Sequence, residues 1–164
     1  MKKTDRFLIG LVIGIIALVI IAFVVTLLRP EADYQSDDTP EGVTHNYLLA
    51  LQRDDYERAY GYLSENLPNY PATIDEFARD IKNYRWDFRL NENVTLQVQS
   101  TREIGNRTYV TVDENRFSGG GLFNSNQYLS QFEIELVQES GGWKIIDGDS
   151  YLAYCWTDPD RPCQ

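Results

Sequence analysis

The chain has 164 residues, with 15 Lys and Arg against 25 Asp and Glu, and a formal net charge of −10. Setting aside Asp5 and the four basic residues that flank the first apolar run (Lys2, Lys3, Arg6 and Arg29), residues 30–164 hold 11 basic and 24 acidic side chains, a net charge of −13. A segment that acidic is repelled by phosphate, which excludes reading nucleic acid or adhering to an anionic lipid surface.

Residues 7–28, FLIGLVIGIIALVIIAFVVTLL, carry no charge and no polar stripe. As a helix they span about 33 Å, enough for a hydrocarbon core of about 30 Å. The run outlasts the apolar core of a signal peptide and ends in Leu27-Leu28-Arg29-Pro30 with no small-x-small pattern, so an uncleaved anchor is expected. Lys2, Lys3 and Arg6 precede it and only Arg29 follows closely, which places residues 1–6 in the cytoplasm and the remainder outside the cell membrane. Gly10 and Gly14 have the spacing that lets two such helices approach, so a homodimer through this face is a further expectation.

Residues 29–39 are acidic and nearly free of aliphatic side chains, the composition of a solvated stalk. Beyond them, Val43, Tyr47, Leu48 and Leu51 recur at helical spacing, as do Tyr56, Ala59, Tyr60 and Leu63, and the phase breaks at Arg53–Asp55. Asp54 or Asp55 there is suited to open the second helix by accepting from its free N–H groups, with Arg53, Glu57 and Arg58 on the solvated side. Thr73-Ile74-Asp75-Glu76 has the pattern of a capping box and announces a third helix to about Tyr84.

The period then falls to two. Val94, Leu96 and Val98 alternate with polar residues, as do Val110 and Val112, then Phe132, Ile134 and Leu136, and Trp143 with Ile145 after the turn at Gly141-Gly142. Three helices followed by an antiparallel sheet with one covered face make an α+β arrangement. The organisation expected is thus a transmembrane helix at 7–28, a stalk at 29–39, a folded domain at 40–148 and a C-terminal tail at 149–164.

Tyr47, Ala50, Leu51, Asp55, Tyr56, Ala59, Tyr60 and Leu63, with the closing Gly141-Gly142-Trp143-Lys144-Ile145, resemble the nuclear-transport-factor-2-like superfamily, also called cystatin-like or ketosteroid-isomerase-like. The closest in character are its membrane-anchored bacterial extracytoplasmic members of unknown function. The resemblance covers about residues 40–148. It implies a cone-shaped domain, a curved sheet wrapping a long helix with a pocket between them.

Enzymes of that superfamily hold an acidic base or a histidine inside the cone, where desolvation raises a carboxyl pKa. None of the inward strand positions inferred above carries a proton. Asp113, Tyr128 and Asp147 lie at strand ends, and Asp147, two positions after Ile145, is in phase with the inner face. His45 is the sole histidine and has no nucleophile motif beside it. With Cys155 and Cys163 it supplies three ligands where a structural zinc site needs four, so no metal and no cofactor is expected. The two cysteines lie in the part placed outside the cytoplasm, and Pro159 and Pro162 between them let the chain turn back, so they are expected to form a disulfide. They lack the C-x-x-C spacing of a redox pair.

The reading that follows is a single-pass, extracytoplasmic binding or interaction module without catalytic activity, its partner an envelope protein or a small apolar ligand. Tyr60, Leu122, Phe123, Tyr128, Trp143 and Asp147 are the candidate contact residues, with Leu122 and Phe123 in the loop FSGGGLFNSN as the binding loop. The alternative is a small-molecule lyase or isomerase with Asp147 or Asp113 as base and Tyr128 as its electrophilic partner. An open cavity favours the enzyme, and a cone plugged by Trp143, Phe132 and Tyr60 favours the module.

Overall fold

The computed structural model describes residues 3–27, 32–89, 94–121 and 124–163. The chain divides into two compact units, Met1–Asp33 and Tyr34–Gln164. The first contains helix α1 (Lys3–Leu27), whose stretch Phe7–Val25 has a mean hydropathy of 3.4 and is long and apolar enough to cross a membrane.

The second unit is α+β. Helix α2 (Pro40–Gln52) starts at Thr39, whose side chain accepts from Gly42 N at 3.1 Å, with Pro40 in the first turn. Most of its residues from Gly42 to Leu51 are buried, because it runs through the middle of the fold with β1, β2, β4 and α3 around it. Gly42 has to be glycine: a Cβ there would sit 1.9 Å from Ser36 O. That close approach shows that part of the expected stalk belongs to the domain. Asn46 clasps Gln35 N and O (2.7 and 2.8 Å) and Asp37, Tyr62 OH donates to Asp37 and Tyr34 OH to Asp55. Side-chain hydrogen bonding, invisible to composition, together with Tyr34 packed against the core, ties down a largely polar segment.

Helix α3 (Tyr56–Gly61) opens on Asp55, whose side chain accepts from Arg58 N at 3.3 Å, and Asp54 turns the corner with φ +55°. Arg58 is not solvated as expected. Its guanidinium lies 3.6 Å over the Tyr34 ring and donates to Tyr62 OH at 3.1 Å. Helix α4 (Ile74–Asn83) begins with Thr73 accepting from Glu76 N, while Glu76 reaches back to Ala72 N at 2.9 Å, one residue beyond the usual capping-box partner. A short helix α5 (Arg85–Phe88) follows.

Strands β1 (Val94–Ile104), β2 (Arg107–Gly121), β3 (Asn124–Glu139) and β4 (Gly142–Gly148) form a curved antiparallel meander in the order β1-β2-β3-β4. Val110, Val112, Phe132, Ile134, Leu136 and Ile145 are buried on its inner face. Register shifts at Gln99 and Ile146 bend and twist it around α2. Beside β4 the chain at Tyr62–Ser64 pairs with Ile145 through Ile145 N→Tyr62 O and Ser64 N→Ile145 O, both 2.9 Å, which shields that end of an edge strand.

The expected tail is also part of the domain. Tyr151, Leu152, Ala153, Cys155 and Trp156 are buried, the last two in a single-turn helix α6 (Tyr154–Thr157). Trp156 stacks on Phe77 at 5.1 Å between ring centroids and meets Phe88 edge-on, and its N–H donates to Asp80 at 2.9 Å. Cys155 and Cys163 form a disulfide.

Candidate functional site

Strand alternation carries β2 inward at Val110 and Val112 and, two residues further, at Glu114, which is fully buried. Ser130 stands directly opposite it on β3 and donates to Oε2 at 3.0 Å. Arg89, just after α5, donates to the same oxygen, and Tyr151 OH donates to Oε1 at 3.2 Å. Arg116 Nε lies 3.7 Å from Oε1. Four side chains from four parts of the chain therefore converge on one carboxylate.

Two of those four are held in the left-handed region, Arg89 at φ +47° and Tyr151 at φ +62°. For non-glycine residues this costs about 1–3 kcal/mol each, so it persists where neighbours enforce it. Tyr151 is enforced from three sides: its N–H donates to Asp87 O at 2.9 Å, its carbonyl accepts from Tyr47 OH at 2.6 Å, and its ring tilts against Phe132. Burial pushes the Tyr47 hydroxyl well above the ordinary phenol value and the Asp87 carboxyl upward, the latter opposed by a backbone bond from the Tyr154 N–H and by Arg89. Two guanidiniums, Arg89 and Arg116, thus flank the buried Glu114 carboxylate, and Arg89 also acts on Asp87.

The core between α2 and the β2–β4 part of the inner face is tightly buried, whereas Val94, Leu96 and Val98 on β1 are half-buried. Tyr47, Leu51, Ile134, Leu136, Tyr151 and Trp156 are each at most 2% exposed. Glu114 is thus a buried carboxylate held by donors, one of which, Ser130, also lines the shallow depression of about 400 Å³ at Asp113, Leu129 and Gln131. A general base needs reach to a substrate proton as well as a suitable pKa.

The residues singled out from sequence do not form one site. Tyr60 is partly buried, donates to Pro71 O at 2.8 Å and packs on Tyr70 and Phe77. Trp143 is partly buried and donates to Asp38 O at 3.2 Å. Tyr128 is 53% exposed and lies opposite Arg116 across the β2–β3 pair. Asp113 bonds Gln131 on the outer face at 2.7 Å, beside a shallow depression of about 400 Å³ at Leu129 and Gln131. Asp147 is exposed, because the extra residue Ile146 resets the alternation so that Asp147 pairs with outward-facing Glu135. Leu122 and Phe123 lie outside the described residues, and the expected long loop is shortened, since β2 continues to Gly121 and β3 starts at Asn124. No cluster of three His, Cys, Asp or Glu suited to a metal ion occurs among the described residues.

Glu114 was missed although its signal was present. The alternation of Val110 and Val112 reaches it one step further on, past Asp113, which the sequence alone places at a strand end.

No protein-family model and no curated protein matches this chain. Similar solved structures include a SEC-C-motif-containing protein from Rhodopseudomonas palustris, 16% identical with a TM-score of 0.48 over 72% of this chain and 83% of that one. A candidate ketosteroid isomerase from Shewanella frigidimarina is 17% identical with a TM-score of 0.45, over 71% of this chain and 98% of that one. A nuclear-transport-factor-2-like protein with a cystatin-like fold from Novosphingobium aromaticivorans is 11% identical with a TM-score of 0.45, over 72% and 86%. The neighbours thus include proteins described as nuclear-transport-factor-2-like or ketosteroid-isomerase-like, and none of these likenesses bears on activity.

Proposed function

We propose that this chain is a single-pass, membrane-anchored binding or interaction module that presents its α+β domain outside the cytoplasm and has no catalytic activity. The observation that carries the reading is that the one buried acid on the described inner face of the sheet, Glu114, is held by Arg89, Ser130 and Tyr151, with the rings of Tyr47 and Tyr151 buried. The apolar helix α1 supports the anchor. Function then resides on the exposed parts of the domain, where Tyr128 and Trp143 are the contact residues to test first, with Tyr60 and Asp147 after them.

One observation favours a second reading, a small-molecule lyase or isomerase. A buried acid does face the inner side of the sheet, namely Glu114 in place of Asp147 or Asp113.

The two are separated by photo-crosslinking the full chain in its own membrane from positions 60, 128 and 143. A discrete adduct with another envelope protein from at least one position is the expected result. No adduct from any of the three, together with turnover of a small carbonyl compound that Glu114→Gln abolishes, would replace the module by the enzyme.

A further inference from the structure

Trp86 is 88% exposed, more than any other large apolar side chain among the described residues, those of the apolar helix α1 included. Tryptophan is highly buried on average, so a ring left this open needs a reason. It does not ride on a loose segment. Phe88, two positions on and so on nearly the opposite face of α5, is fully buried and meets Trp156 edge-on at 5.6 Å, and Asp87 O accepts from Tyr151 N at 2.9 Å. Tyr154, half exposed, is tied to the same turn: its backbone N–H donates to the Asp87 carboxyl, and its ring meets Tyr84 edge-on at 5.2 Å. Trp86 is thus presented outward from a fixed platform with a second open ring attached to it.

That platform stands at the end of the domain where the chain enters. Tyr34, the first residue of the domain, donates to Asp55 at 3.1 Å and has the Arg53 guanidinium 5.2 Å over its ring. Asp54, between those two, lines one hollow together with Arg85, the residue before Trp86. Helix α2 begins at the other end, about 20 Å away for its 13 residues at about 1.5 Å each, and there Trp143 donates to Asp38 O.

Residues 28–33 alone connect Leu27, the last residue of α1, to Tyr34. A stretch of that length reaches at most about 25 Å, and the headgroup layer of a bilayer takes up about 5–8 Å of it. A tether this short holds the entry end of the domain at high effective concentration beside the surface that α1 enters. Residues 1–33 contain no Trp and no Tyr, so the apolar run brings neither of the side chains that are enriched at membrane–water interfaces. An indole ring has the apolar faces and the single N–H donor that suit that layer.

We infer that Trp86, with Tyr154 beside it, rests in the headgroup layer of the membrane that α1 enters, and that this contact turns the α2–α3 corner toward the bilayer and the Trp143 end away from it. The contact is aromatic and not ionic, since the net charge of −13 over residues 30–164 opposes adhesion to anionic lipid. The inference rests on the anchor reading above, because the tether acts only when α1 is inserted.

The full chain reconstituted in phosphatidylcholine vesicles, with and without bromine on the acyl carbons nearest the headgroup, tests it after a carbonate wash and flotation. Bromine quenches tryptophan emission on contact, and α1 has no tryptophan to be quenched. The floated chain should be dimmer in brominated vesicles, by a loss approaching the share of one of its three tryptophans, and Trp86→Phe should abolish the difference. Trp156 is fully buried and Trp143 is at the far end of α2, so neither should supply it. A chain that floats with an emission indifferent to bromine would overturn the contact and leave the anchor standing. A difference that survives Trp86→Phe would overturn it as well, by placing another tryptophan at the lipid. A chain that does not float would remove the anchor and this inference with it.

Discussion

Glu114 and Arg89 form the pair on which the sheet's inner end depends. The Glu114 side chain is 1% exposed and that of Arg89 28%, so the two charges are unequally able to find water if separated. Removing one partner of a buried pair costs about 3–5 kcal/mol because the other is left uncompensated. Arg89→Ala strands the fully buried member, with Ser130, Tyr151 and the more distant Arg116 remaining, and should sit in that range. Glu114→Gln strands the guanidinium that already touches solvent, and should cost less. The double variant should be more stable than Arg89→Ala alone, which denaturant unfolding of the four forms in micelles would read as a coupling energy. Strict additivity would mean that the pair does not hold this end of the sheet. Asp80 is the contrasting buried acid. Burial raises its carboxyl above the ordinary range, with the Trp156 bond opposing. The folded state therefore binds that proton more tightly than the unfolded one, and the stability it contributes is complete below the unfolded pKa and lost as pH rises through the folded value. Asp80→Asn keeps an acceptor for the Trp156 N–H without the buried charge, so it should be at least as stable as the native chain at pH 7, with its advantage shrinking as the pH falls to about 4. Asp80→Ala leaves that N–H unpaired and should cost about 1–3 kcal/mol.

Among the elements, helices were legible and strand ends were not, for a physical reason. A helix announces itself through period and caps that lie within one turn, and Asp55 and Thr73 each cap where the local sequence places them, while Thr39, assigned to the stalk, caps α2. Asp55 is the cap and Asp54 the left-handed corner, so the acidic pair divides two tasks. Asp55→Ala should lower stability by about 1 kcal/mol, whereas Asp54→Asn should be nearly neutral, since Asn accepts the same backbone conformation. Equal losses in thermal unfolding would contradict that division. A strand's face, by contrast, depends on register with its neighbour. The single extra residue Ile146 carries Asp147 outward, and an unbroken register two residues past Val112 carries Glu114 inward. The segment around Trp156 was illegible for another reason. Its one helical turn is too short for a period, and its contacts run to Phe77 and Asp80, far away in sequence. Asn69 shows how it is fixed, donating from its side chain to both Cys155 O and Asp158 O.

At the scale of the whole molecule, charge at the N-terminus and the disulfide at the far end test the same proposition. The Cys155–Cys163 bridge closes a separation of eight residues beside buried Trp156, and a loop that short stabilises by about 2–3 kcal/mol if chain entropy dominates. Such a bond persists in an oxidising compartment and is rare in the cytosol. Lys2, Lys3 and Arg6 precede the apolar run, and the proposed orientation rests on their staying inside. Cells treated with a thiol-alkylating reagent before lysis should therefore yield a native chain with neither cysteine modified. Substituting Lys2, Lys3 and Arg6 by Glu removes the retaining charge and leaves Arg29 as the basic flank, so part of the population should insert with the domain in the cytoplasm. In that fraction both cysteines should be reduced and alkylated, and the domain less stable by the disulfide's contribution. If the native chain itself were alkylated at both positions, the domain would face a reducing compartment, and the extracytoplasmic assignment would fall together with the search for an envelope partner.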